Sequence, residues 1–275
     1  MLRWFNRNRN RLFRVVSAAW VILFLIHLFT ADYSVPLGEF LGPYLVFAAL
    51  YIALGSYLLN FELNRAVKAY QDQCLAQPML ETCTAMYADL NKRGRKKTFG
   101  QVLLLDRCAA LAVLDRTEEA AAVLEELAPL LPQKVTPNTM VWRTHRIILL
   151  LGEHRTGEVP AAIDDAAPAL EQLRNPLLER RISWLLEQYR CNLSLLLWQP
   201  EDGVLEGRLL SLMDTAPNRG CRVSTAFLLG WYYRSAGEGK KAIPHLRYVA
   251  ENGGDFAVRE KARRLLTEAA EGGNP

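Results

Sequence analysis

Residues 224–254, STAFLLGWYYRSAGEGKKAIPHLRYVAENGG, decide the fold. Ala226, Leu229, Gly230 and Tyr233 recur at helical spacing and form one apolar stripe, with Gly230 placed where a neighbouring helix can approach closely. Gly237 ends that helix. Ala242, Leu246 and Val249 make a second stripe, on a helix that returns antiparallel after a short turn, and Asn252-Gly253-Gly254 closes it. Two helices of this length cannot bury both faces against each other, so the hairpin requires neighbours stacked on either side.

A copy lies upstream. In residues 103–132, LLLDRCAALAVLDRTEEAAAVLEELAPLLP, the side chains Leu104, Cys108, Leu111, Ala120, Leu124, Leu127 and Pro132 fall at the matching offsets. A small residue, Leu and Gly in succession, then Tyr, Gly and Ala at these distances, resembles the tetratricopeptide repeat family. The pattern departs from the family at Ala226, where Trp is frequent, and at Gly254, where Pro is frequent. The matched alanines Ala120 and Ala242 are 122 residues apart, more than three family periods of about 34 residues, so the intervening repeats must be stretched. They are expected at Asn138 to Leu151 with Glu158 to Leu173, and at Leu177 to Trp198 with Glu201 to Met213.

The resemblance implies a right-handed superhelix whose inner surface, lined by the first helix of each pair, binds a peptide or a partner helix. At the inward offsets it places Trp142, Arg143 and Arg146 in the second repeat, Phe227, Trp231 and Arg234 in the last, and Tyr189 in the stretched third. Guanidinium groups beside aromatic rings suit carboxylates, because Arg donates two parallel hydrogen bonds and also stacks. An acidic partner segment is therefore expected.

The N-terminal part reads differently. Val15 to Ala31 and Phe40 to Phe61 contain no Asp, Glu, Lys or Arg. At 1.5 Å per residue each is long enough to cross a hydrocarbon core about 30 Å thick, the first with help from its flanks. Phe29-Thr30-Ala31 lacks a small-x-small cleavage site and a second apolar run follows at once, which favours an uncleaved anchor over a signal peptide. Five Arg precede the first run, and Arg65 and Lys68 follow the second, while the loop between them has no basic residue. Both termini are accordingly expected in the cytoplasm. Ala49 and Ala53, with Gly55 and Ser56, are small enough for the two spans to pack closely. His27 has no acidic partner within either span, so it reads as a packing or headgroup-facing residue.

After Phe61 nothing in the local sequence breaks the helix before Pro78, so the second span is expected to continue that far. Met79 to Asn91 reads as one more helix. Lys92, Arg93, Arg95, Lys96 and Lys97 then place five basic residues within six. They form either a solvated turn or a contact for anionic lipid. No aromatic residues are interleaved, which argues against single-stranded nucleic acid. Phe256 to Ala270 is expected to close the open end of the stack as a polar-faced helix.

Residues 63–97 carry seven Lys or Arg and three acids, whereas residues 98–275 carry 21 basic and 23 acidic residues. Positive charge is thus concentrated near the apolar runs. Five cysteines without a CxxC pair imply reduced thiols. The four histidines have no metal-ligand spacing, and no phosphate-binding or nucleophile motif occurs. Asp164-Asp165 reads as a helix start, where acids favour the dipole.

The sequence predicts an all-α chain in three parts. Residues 1–62 form a basic segment and a two-helix transmembrane hairpin; residues 63–97 are juxtamembrane helices and the basic turn; residues 98–271 are a tetratricopeptide-like α-solenoid of antiparallel helix pairs with a capping helix. The expected function is a membrane-tethered scaffold or adaptor that binds a protein or peptide, with no enzymatic activity, cofactor, metal or nucleic acid. The alternative is a subunit of a membrane transport or signal-relay complex in which the transmembrane hairpin is the working part.

Overall fold

The computed structural model describes residues 15, 18–26, 29, 37–198 and 204–271, with only scattered side chains before Phe61. These residues are helical throughout apart from turns, and no strand occurs among them. The chain divides into two compact units, Met1–Arg65 and Ala66–Pro275.

In the first unit, residues 18–26 are helical and helix α1 begins, running Leu37–Gln73 across the unit boundary. The described side chains up to Phe61 are mostly apolar and exposed, Phe29 at 81%, Leu45 at 68% and Leu50 at 63% among them. No helix among the described residues is long and apolar enough to cross a membrane. Much of the two expected spans, including His27, Gly55 and Ser56, lies on residues or side chains outside those described.

The second unit is an α-solenoid. After the end of α1 come α2 (Ala76–Ala88), a single-turn α3 (Lys92–Arg95) and four helix pairs. The pairs are α4 (Thr98–Val113) with α5 (Thr117–Leu127), α6 (Pro137–Gly152) with α7 (Val159–Leu170), α8 (Pro176–Leu196) with α9 (Val204–Asp214), and α10 (Arg219–Ser235) with α11 (Gly239–Asn252). Helix α12 (Ala257–Glu271) ends the described chain. Each first helix packs on its own second helix and on the next first helix.

Local sequence explains the boundaries. Thr136 and Thr139 form a capping box on α6, and the Asn175 and Asn218 side chains cap α8 and α10 by accepting from Leu178 and Cys221 N–H. Each first helix is closed by a residue in the left-handed region: Asp115, His154, Trp198 and Gly237. In three hairpins the next N–H reaches back five residues, from Arg116 to the Leu111 carbonyl, Arg155 to Leu150 and Glu238 to Tyr233, at 3.0, 2.9 and 2.8 Å. This is the Schellman closure, repeated at equivalent positions. The closing residues are spaced by 39, 44 and 39 residues, which accounts for the excess over a repeat of about 34. Seven positions before them lie Cys108, Ile147, Cys191 and Gly230, all buried, and Cys108 and Gly230 meet Ala120 and Leu246 of their own second helices.

Two expectations are corrected here. Helix α1 stops at Gln73, not at Pro78, because Cys74 adopts φ +56° and the Asp255 carboxylate collects the Ala76 and Gln77 N–H groups at 2.6 and 2.9 Å. These bonds start α2, whose first turn accommodates Pro78. The basic turn is a short helix capped by Asn91, and it does not present all five cations alike. Arg95 donates to the Leu90 and Ala88 carbonyls and lies over the Tyr87 ring at 5.1 Å, which occupies it in closing α2. Lys92, Arg93, Lys96 and Lys97 are exposed.

The end of the solenoid returns to its beginning. Besides Asp255, the Phe256 ring meets Tyr70 of α1 at 5.3 Å, and Lys261 of α12 pairs with Asp115, in the turn between α4 and α5, at 3.0 Å.

Candidate functional site

The inner faces of α4, α6, α8 and α10 converge on a cavity of about 620 Å³, with α12 along its remaining side. Counting back from the closing residue of each hairpin gives the inward positions. Six residues before it stand Ala109, Ile148, Asn192 and Trp231, and the last three line the cavity. Nine residues before it stand Asp106, His145, Tyr189 and Leu228, of which Tyr189 and Leu228 line the cavity. Walls of Ile148, Leu196, Phe227 and Trp231 supply apolar surface. Asn192 supplies an amide that both donates and accepts.

Of the seven residues expected on the inner surface, Tyr189, Phe227, Trp231 and Arg234 line this cavity. Trp142, Arg143 and Arg146 do not. Trp142 Nε1 donates to the Leu124 carbonyl of α5 at 3.3 Å. Arg143 reaches both the backbone carbonyl and the carboxylate of Asp165 on α7 at 2.6 Å. Arg146 is exposed on the same flank and adds a little to the lowering of the Glu158 carboxyl, which is held low chiefly by its hydrogen bond from Arg155. Trp142 and Arg143 therefore face second helices, where they clamp neighbouring elements, and Arg146 stays exposed beside them. Arg234 is inside the cavity but already engaged, donating to the Leu265 carbonyl at 3.0 Å and to the Glu268 carboxylate at 2.6 Å.

From Tyr189 in the cavity wall the inner face turns polar. Asp106, His145 and Tyr189 are equivalent positions on three successive first helices, and Arg181 lies two turns before Tyr189 on α8. Burial pushes Asp106 up to about 6, partly offset by the Arg181 guanidinium. Burial pulls His145 down to about 4, with Arg181 adding to the shift, and its Nδ1 is buried without a hydrogen-bond partner. Tyr70 and Tyr189 are raised by burial, and Arg181 opposes the rise in both. One guanidinium thus sits within electrostatic reach of groups from α1, α4, α6 and α8. This row and Asn192 are absent from the sequence-based set of inner residues, apart from Tyr189. Of the left-handed residues that phase the hairpins only Gly237 is a signal in the sequence; Asp115, His154 and Trp198 are not.

The thiols are not activated. Burial pushes Cys83 and Cys108 up to about 12 and Cys74, Cys191 and Cys221 to about 11. Among the described residues no group of three or more His, Cys, Asp or Glu is arranged to hold a metal ion. No protein-family model matches the chain, and neither a curated protein nor a solved structure matches it.

Proposed function

We propose that the protein is a membrane-tethered scaffold whose tetratricopeptide-like solenoid captures a polypeptide segment of a partner. The observation that carries this reading is the cavity itself: an apolar and aromatic lining with a few polar groups, built from equivalent positions on successive first helices. Such a surface gives an extended or helical segment pockets for side chains and an Asn192 amide for its backbone.

Photocrosslinking in intact cells tests this reading. A photoreactive phenylalanine analogue at Phe227 or Trp231 is expected to capture a protein that the same analogue at Trp142, on the outer flank, does not. Identical adduct patterns at the two locations exclude the cavity as the capture site.

The membrane half of the proposal rests on the two uncharged runs, the arginine distribution and the exposed apolar side chains of the first unit. Cysteines introduced at Ser34 and Gly272 are expected to differ in whole cells, the first reacting with an impermeant reagent and the second only after permeabilisation. Labelling at Gly272 in intact cells reverses the orientation.

A further inference from the structure

The far end of the cavity holds a carboxylate already, and it belongs to the chain. Arg234 and Arg264 are the arginines lining the cavity among the described residues. Arg234 is engaged by Glu268 and by the carbonyl of Leu265, one turn earlier on α12. Leu265 also faces the cavity, so α12 presents an apolar side chain and a carboxylate to a wall that holds Trp231, Phe227 and Arg234.

The two halves of α12 are held unequally. Its beginning is fixed by buried Phe256 and Ala262, and by Arg259 donating to the Ala250 and Gly254 carbonyls. From Arg263 onward the described side chains are exposed except for half-buried Leu265 and Leu266. The Arg234–Glu268 pair is 37% and 55% exposed, a setting in which an ion pair contributes little to stability. A segment with few buried apolar contacts opens at low cost.

We propose that the distal half of α12 is an intramolecular competitor for the cavity: Glu268 occupies the place of a carboxylate on an acidic, partly apolar partner segment, which binds by displacing it. This rests on the cavity being the capture site. It also identifies the chemistry recognised there, because displacing the distal half of α12, which carries Arg264 away with it, leaves the Arg234 guanidinium without a carboxylate at that end. The opposite rim adds no free charge, since Asp115 and Lys261 neutralise each other.

Collisional quenching of the Trp231 fluorescence in the full chain, held in neutral detergent, tests the proposal without any partner. The Trp231 signal is the difference between each protein and its Trp231→Phe counterpart. Glu268→Gln is expected to raise quenching by iodide by roughly twofold, because an anion is concentrated at the freed Arg234 guanidinium, and to leave quenching by neutral acrylamide nearly unchanged. Adding Arg234→Gln should abolish the gain. Unchanged iodide quenching in Glu268→Gln, or an equal rise for iodide and acrylamide, overturns the proposal. Glu268→Asp, which keeps the charge, serves as the control for a folding defect and should behave like the parent. Failure here leaves the crosslinking test of the cavity standing, whereas failed crosslinking removes the capture site whatever iodide does.

Discussion

The carboxylate of Asp255 accepts the backbone N–H of Ala76 at 2.6 Å, so a loop near the end of the chain starts a helix 179 residues earlier. The same carboxylate takes Gln77 N–H at 2.9 Å, and Asp255 N–H returns a bond to the Cys74 carbonyl at 3.0 Å. Local chain has no substitute, since Leu75, at the N-cap position of α2, offers no side-chain acceptor. Asp255→Ala should cost about 1–2 kcal/mol, as loss of a helix cap does, and Asp255→Asn less. Urea denaturation measures the cost, and amide exchange at residues 76–80 locates it. An unchanged midpoint with unchanged exchange would mean that water caps α2 equally well. The same geometry bears on fragment design, because a fragment beginning at Lys97 lacks the helix that Asp255 holds.

A second prediction concerns the polar row on the inner face. Asp106 has its carboxyl raised from 3.8 to about 6 in the folded chain, so its contribution to stability is present below 3.8 and lost as pH rises through about 6. His145 is lowered from 6.5 to about 4, so its contribution is present above 6.5 and lost as pH falls towards about 4. Between about pH 4 and pH 6 the two slopes oppose each other and nearly cancel. Asp106→Asn removes one of them. Relative to the parent, the stability of this variant should then climb by roughly 1.4 kcal/mol per pH unit across that window. Denaturation profiles at several pH values that run parallel for the two proteins would contradict the opposition.

Gly230 is fixed by packing. A Cβ there would lie 2.6 Å from Leu246 Cδ2 and 2.7 Å from its Cγ, so α11 approaches α10 only because the position is bare. Gly230→Ala sets overpacking of about 1–3 kcal/mol against a helix-propensity gain of about 1 kcal/mol. A net loss near 1 kcal/mol is expected, on the difference of those two effects. Leu246→Ala alone should cost about 2–5 kcal/mol through the cavity it leaves. The double variant should lose less than the sum, because the added methyl enters the vacated space. Strict additivity would place the contact elsewhere.

The behaviour of Gly230 also shows why the last repeat was legible and the second was not. In residues 224–254 a glycine marks the close approach and another, Gly237, marks the left-handed closure, so the phase of the inner face follows from the sequence. The family resemblance places Phe227, Trp231 and Arg234 at the inward offsets of this repeat, and all three line the cavity. In α6 the equivalent positions are Ile147 and His154, neither of which announces itself as a marker. Without them the inward offsets taken from the resemblance fall on Trp142, Arg143 and Arg146, and the inner stripe of His145, Ile148 and Gly152 is passed over. Helix α1 failed differently. What ends it is Asp255, and nothing near Cys74 in sequence reports a partner so distant. Helix existence is written in apolar spacing; helix phase and helix ends depend on turns and long-range acceptors.

The last prediction separates the two sets of inner candidates. Arg143→Glu and Arg146→Glu place acids on the flank facing α7, where Arg143 now holds Asp165 at 2.6 Å. Repulsion between the carboxylate introduced by Arg143→Glu and that of Asp165 should lower stability by about 1 kcal/mol, the scale of a partly exposed pair. It should leave capture intact, because neither Arg143 nor Arg146 lines the cavity. Trp231→Ala and Asn192→Ala act the other way. Trp231 is half-buried in the cavity wall, and removing an aromatic anchor typically costs about 2 kcal/mol or more of binding, about thirtyfold in affinity. Asn192 lines the same wall, so its loss should weaken binding with little change in melting temperature. Capture from native membranes by the four variants, each with its melting temperature, decides the matter. Loss of capture in the arginine variants with retention in Trp231→Ala would return the binding surface to the outer flank.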